Sequence, residues 1–223
     1  MAAHNSILVR INDIIGDDVT DVIGYKDLIN SAFNYIADMI PPVSELWRGY
    51  RTDSGNTTDV NLLDASSYKI ISVTRTDASD GIDRLCSEVS LDNFRRGEDT
   101  SSIYYSQKNS RNPIYTFDEG GDIIIRPTGG SPKIFYFRYL VGTDDIESVT
   151  DFTTIPFPEQ AGFVAILKAC SNIMQAKISQ AVQDEEDQEL LNLLNAQTAS
   201  IKGMLQEEMQ RLSLPLNMVG DEA

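Results

Sequence analysis

Histidine is nearly missing from this 223-residue chain: His4 is the only one. It sits in a terminal stretch of the kind that frays. No Ser-His-Asp or Cys-His set with a positioned base can therefore be assembled. Cysteine is scarce too, with only Cys86 and Cys170, far apart in sequence. Cys170 falls on an apolar helical face, where a free thiol behaves as a small hydrophobe. A reducing compartment makes a structural disulfide unexpected. No apolar run approaches the length of a membrane span, and Met1-Ala2-Ala3-His4-Asn5 lacks the form of a signal peptide. A chain made in a cytoplasm and free of membrane is expected. Positive charge is also short, with 18 Lys and Arg against 34 Asp and Glu, a net charge of −16. Such a chain should not hold nucleic acid by neutralising phosphates, but it is able to surround nucleic acid without gripping it.

The motifs that carry chemistry are equally thin. Asp17-Asp18 reads as a solvated loop, because a hard cation takes three or more clustered oxygens. Asp77, Asp80 and Asp83 resemble a calcium loop only loosely, since the glutamate that completes one is missing at the required spacing. Gly120-Gly121 and Gly129-Gly130 precede neither a helix nor a Lys-Ser/Thr pair, so they are turns rather than phosphate loops. The many carboxylates sit on helix surfaces and turns, and no two can be nominated as acid and base. No catalytic residue, metal or cofactor is expected. An enzyme with a site invisible at this level remains a rival class.

What is present is strong patterning, and the chain is organised around 156–212. Phe163, Ile166, Leu167, Cys170, Ile173, Met174, Ile178 and Ala181 recur at three- and four-residue steps, as one helical face requires. Leu190, Leu191, Leu194, Ile201, Met204, Leu205, Met209 and Leu212 repeat the pattern. Pro158 suits a first helical turn. The joint Asp184-Glu185-Glu186-Asp187 is too polar to bury and favours the start of the second helix through its dipole. A helical hairpin follows. Near the start, Ile7, Ile11, Ile14 and Ile15 share a face that Gly16 ends. In 25–40, Leu28, Ile29, Ala32, Phe33, Ile36 and Ile40 form a stripe that Pro41-Pro42 closes. Leu46, Trp47 and Tyr50 read as a lid on the core, with an exposed binding role as the alternative.

The period changes to two at Tyr68–Arg75, with Lys69, Ile71, Val73 and Arg75 on one side. Cys86 to Phe94 is strand or short helix; the pattern does not decide. Residues 95–112 are polar and carry Arg95, Arg96, Lys108 and Arg111 with Tyr104-Tyr105. Glu98 and Asp99 interrupt that basic patch, so it reads as a surface loop contacting an acidic neighbour rather than nucleic acid. Strands 114–117, 122–126 and 133–140 follow as glycine-turned hairpins. The expected fold is α+β, a helical bundle with a long C-terminal hairpin and one inserted antiparallel sheet. Its segments are 1–66, the β subdomain 67–140, the linker and hairpin 141–212, and the arm 213–223. Leu214, Leu216, Met218 and Val219 give that arm an apolar surface needing a partner. The alternative is a tail folded back on its own hairpin.

This order of elements resembles the head–tail adaptor (connector) proteins of tailed bacteriophages. It is carried by Leu28 to Pro41, by Pro113–Asp118 with Gly121–Pro127 and Phe135–Tyr139, and by Ile155-Pro156-Phe157-Pro158-Glu159 with the two helices behind it. The chain lacks the Pro-Asn-Trp-type strand entry of some adaptors. The resemblance implies a structural virion protein, a homo-oligomeric ring usually of twelve, set below the portal protein and joined to a tail or neck protein. Helices then line the channel for passing DNA, the arm reaches the portal or an adjacent subunit, and the 95–112 loop meets a neighbour or the tail. Asp184, Glu185, Glu186 and Asp187 are candidates for an acidic channel surface that repels phosphate. Acidity that only maintains solubility before assembly is the other reading. A phage assembly factor or chaperone with an acidic helical surface is the rival function.

Overall fold

The computed structural model describes residues 7–16, 24–42, 44–48, 56–57, 67–97, 111–128, 130–140, 157–183 and 188–214. Among them are five helices, α1 (Ile7–Ile15), α2 (Lys26–Met39), α3 (Leu91–Arg96), α4 (Glu159–Gln183) and α5 (Gln188–Arg211). The seven strands are β1 (Asn56–Thr57), β2 (Tyr68–Thr76), β3 (Asp83–Leu85), β4 (Ser87–Glu88), β5 (Ile114–Phe117), β6 (Ile123–Arg126) and β7 (Ser131–Arg138). The architecture is α+β, and the chain divides into two compact units: a helical one from 1–40 with 140–223, and a β unit from 41–139.

In the helical unit α4 is the centre. It packs against α1, α2 and α5, so one apolar stripe is not enough for it. Val164, Ala165, Ile166, Leu167, Ala169, Cys170, Ile173 and Met174 are all buried, and they leave little of its circumference polar. Such an all-round pattern marks a helix enclosed by others. The small residues Ala161, Ala165 and Ala169 keep neighbouring helices close. By contrast α5 has one sparse stripe, with only Thr198, Ile201 and Met209 buried. Three residues assigned to the stripes stand outside them: Phe163, Leu190 and Met204 are each close to 40 % exposed, at 39 %, 38 % and 39 %. Three- and four-residue spacing admits positions at the edge of a face, and these are such positions.

Side chains lock the helix ends. Gly16, at φ +77°, stops α1 and donates to Asn12 O at 2.7 Å. Gln197 Nε2 on α5 then donates to the carbonyls of Ile14 and Ile15 at 3.3 and 3.1 Å, filling acceptors that a helix C-terminus leaves open. Asn34 on α2 clamps Leu140 in both directions, donating to its carbonyl at 2.9 Å and accepting from its N–H at 2.8 Å. Phe157 meets Phe33 edge to face at 5.0 Å, just before α4 begins.

The β unit corrects the expectation of one sheet. There are two, in strand orders β1-β7-β2-β3 and β4-β5-β6. The segment 114–126 is a hairpin as expected, with β5 antiparallel to β6. The next connection is not a hairpin, because β7 leaves β6 and pairs with β2 in the other sheet. A parallel pairing, β4 on β5, also breaks the all-antiparallel pattern. The apolar residues explain the split. Val73 and Ile134 from the first sheet and Tyr115 and Ile123 from the second share one core with Cys86. The ambiguous stretch 86–94 is both things at once, with strand β4 followed by helix α3, whose cap Ser90 accepts from Asn93 N–H. Trp47 is buried as a lid at 2 % exposure, with its ring centroid 5.9 Å from that of Phe137 and its Nε1 donating to Pro41 O.

Candidate interaction surfaces

Charged side chains of the β unit are engaged at the β2–β3 turn and around α3. At the β2–β3 turn, Asp77, Asp80 and Asp83 are each engaged. Arg84 reaches Asp80 at 2.5 Å and Asp77 at 3.4 Å, and Lys133 reaches Asp83 at 2.7 Å. Arg84 hydrogen bonds, joined by the Ile82 N–H, hold the Asp80 carboxyl down at about 2. Lys133 and then Thr76 lower Asp83. These carboxylates build a closed turn, in which Asp77 also accepts from Ser79 N–H. Ile82 and Leu85, 54 % and 63 % exposed, flank it.

Elsewhere in the same unit, α3 rests on β5. Arg126 of β6 lays its guanidinium 5.3 Å from the ring of Phe94, and Arg126 is the ladder partner of Ile114. Arg111 lies three residues before that partner, and Arg95 and Arg96 follow Phe94. Arg95, Arg96 and Arg111 are exposed. Arg95 pairs with Glu119 at 2.9 Å. Of the expected contact loop, Arg95 thus reaches the β5–β6 turn through Glu119, whereas Arg111 lies before the opposite end of that ladder. Arg126, a strand residue with no local signal for it, meets the Phe94 ring of α3. Tyr104, Tyr105 and Lys108 lie outside the described residues.

In the helical unit the arm begins inside the subunit. Leu214 is 5 % exposed and donates its N–H to Met209 O, while Ser213, at φ +54°, donates to Gln210 O. This pair of bonds is a Schellman motif, in which the residue after the left-handed position packs back on the last turn. Leu216, Met218 and Val219 lie outside the described residues, as do Asp184, Glu185, Glu186 and Asp187. Beside that acidic joint, Val182 and Leu193 are 59 % and 64 % exposed. The outer face of α2 carries an open depression of about 480 Å³, lined by Asp27, Asn30, Ser31, Asn34, Tyr35, Asp38 and Leu140. Lys168, half-buried on α4, stands 4.9 Å from the Tyr35 ring, and burial lowers its pKa.

The two thiols are buried, and burial pushes Cys86 up to about 11 and Cys170 up to about 12. Among the described residues no group of His, Cys, Asp and Glu is placed to hold a metal, and no helix is long and apolar enough to cross a membrane. Residues 5–219 match the profile of the SU10 adaptor protein family, and the chain belongs to that family of phage head–tail adaptors. No curated protein and no solved structure matches the chain.

Proposed function

We propose that this protein is a structural component of the virion neck, a ring of subunits below the portal that links the capsid to the tail. The family match over residues 5–219 carries this reading. Adaptor membership implies portal or tail proteins as partners. The ring has twelve copies in the resembling connectors. Residues 1–40 and 140–212 form its wall, 41–139 is the inserted subdomain, and the arm 213–223 reaches the portal through Leu216, Met218 and Val219. The loop 95–112 meets a neighbour or the tail. Residues 1–40 with 140–223 hold six basic and twenty acidic residues. A wall of that sign repels phosphate, so DNA passes without adhering. The protein is assembled in the host cytoplasm, and no reaction is assigned to it.

Electron microscopy of portal-bearing heads incubated with the purified chain tests this. The expected result is extra ring density at the portal vertex only when the chain is present. A chain that promotes tail joining yet is absent from finished particles is an assembly factor, and the proposal fails. Duplex DNA should not be retarded by the free protein at moderate salt. A tight complex whose affinity falls steeply with salt would show several cation–phosphate contacts and overturn the non-adhering channel.

A further inference from the structure

In the helical unit α5 carries its charge towards its ends and none along its first half. Glu189 and Lys202 bracket the stretch Leu190–Ile201, which holds no charged residue. A helix buried on one stripe ordinarily turns charged and polar side chains to water. Here the water-facing side is apolar instead. Leu190, Leu193 and Met204 are exposed, three of the seven large hydrophobic side chains left bare among the described residues. Leu193 and Met204 stand eleven residues apart, about three turns, and so share a face. Ala196 and Ser200, both exposed, fill the interval, and Leu190 borders it one turn earlier. The face that α5 buries is another one, that of Thr198, Ile201 and Met209.

We propose that a second copy of this chain packs on the outward face of α5, from Leu190 to Met204. Charge selects that occupant. Each copy carries −16, and thirteen of the helical unit's twenty acidic residues lie between or beyond its helices. Copies meeting through those segments repel, whereas along Leu190–Ile201 no carboxylate meets another. Nucleic acid finds no cation there for its phosphates. Size agrees. The face is about 20 Å long and roughly 10 Å wide, on the order of 200 Å². A stable two-body complex buries about 800 Å² on each partner, so this face alone holds no lasting pair. It suffices where copies are already held side by side and the contact repeats from one to the next. The inference rests on the ring reading above and names the face that joins its subunits.

Photo-crosslinking tests it. Full-length Leu193→Cys is labelled with benzophenone maleimide; Cys86 and Cys170 are buried, so the label goes to position 193. The labelled chain is diluted into wild type until most rings hold a single labelled copy, and purified portal-bearing heads are added. Illumination should join the labelled chain to a second copy. A second variant, Leu193→Asp, is checked for folding by far-UV circular dichroism and Trp47 fluorescence. Alone it should place about tenfold fewer copies on heads than wild type, because a carboxylate enters every junction. In an equal mixture with wild type it should leave incomplete arcs, since one neighbour accepts the altered copy and the next does not.

Crosslinks that run to the portal or another head protein, and not to a second copy, overturn the contact. Complete rings without any crosslink from position 193, or complete rings of Leu193→Asp at wild-type level, also overturn it and leave the ring reading intact. Full wild-type rings that simply exclude the Leu193→Asp chain from the mixture would assign the face to a partner other than the neighbouring copy. Wild-type protein bound to heads as isolated copies, with no ring, removes the ring reading itself and this contact with it.

Discussion

The helical unit and the β unit divide the labour of the chain by charge. The helical unit has six basic and twenty acidic residues, whereas residues 41–139 have twelve and fourteen. Nearly all of the net −16 therefore belongs to the segments of the first unit, and 13 of their 20 acidic residues lie between or beyond its helices rather than on them. The units also differ in how they are held. Helices gather round one apolar axis, α4, and are themselves nearly balanced, with seven acidic and six basic residues. The β unit closes a smaller core between two short sheets, and it reinforces its turns with ion pairs and side-chain bonds. Charge lies mostly outside the helices in the first unit and is part of the construction in the second.

Each unit has its own reporter, which makes the comparison breakable. Trp47 is the only tryptophan and is buried in the β unit, so its fluorescence follows that unit. Helical circular dichroism follows mostly α1, α2, α4 and α5. The largest effect is expected from Ile166→Asp. Ile166 is fully buried on the central helix, and an unpaired charge there costs several kcal/mol, on the order of 4 or more. Leu194→Asp, on the half-buried stripe of α5, should cost about 1–2 kcal/mol. Urea titration followed by dichroism checks both. Equal losses at the two positions would refute α4 as the centre.

Next comes Gly130→Ala in the β unit. Gly130 has φ +83°, and a Cβ there would run into the carbonyl of Thr76. Both faults act together, so a loss of about 2 kcal/mol or more is expected, read as an earlier Trp47 transition. The same substitution in the helical unit should act the other way. Gly203 lies within α5, and a Cβ there meets nothing within 4 Å. Gly203→Ala should raise stability by about 0.5–1 kcal/mol, because alanine loses less backbone freedom on entering a helix. A matching sign for the two glycines would mean that the helical site is crowded or that the turn relaxes.

The sequence disclosed the parts of the fold that repeat. Ile7, Ile11 and Ile15, the α2 stripe, and Ile166 to Met174 show helical periods, and their burial follows. The alternation of Ile71, Val73 and Arg75 likewise marked the inward side of β2. Partner choice among strands has no such local signal. Nothing in 131–138 tells β7 to pass over β6 and join β2; that pairing is set by the shared core of Val73, Tyr115, Ile123 and Ile134. Exposure on α5 was hidden for a related reason, since an apolar residue at a stripe edge reads the same whether covered or bare. Leu214 looked like a free apolar tail, but a serine at the left-handed position disguised the Schellman ending that buries it. For the surfaces, charge type was legible and side-chain partners were not: the meeting of Arg126 with Phe94 required the β5–β6 ladder and the seating of α3 on β5.

The smallest effect concerns acid, and it should separate the units most sharply in direction. Arg84, with the Ile82 N–H, holds Asp80 at about 2 against an ordinary 3.8. Lys133 and Thr76 depress Asp83 as well. A depressed carboxyl binds its proton more readily in the unfolded chain, so its contribution is present above the unfolded pKa and fades as pH falls through the folded one. The window for Asp80 therefore opens near 3.8 and closes near 2. Both groups are exposed, which keeps the effect modest and salt-sensitive. In Asp80→Asn the Trp47 urea midpoint should lie below wild type at pH 7 and stay there to about pH 5, then converge on it towards pH 2. The helical unit should respond differently over the same first steps, since protonating carboxylates in a region this negative relieves repulsion before it costs structure. Its dichroism midpoint should hold or rise as pH drops from 7 towards 5. A wild-type to Asp80→Asn difference that persists unchanged at pH 2 would show that the introduced amide disturbs the turn itself, and that the Arg84 pair does not hold it.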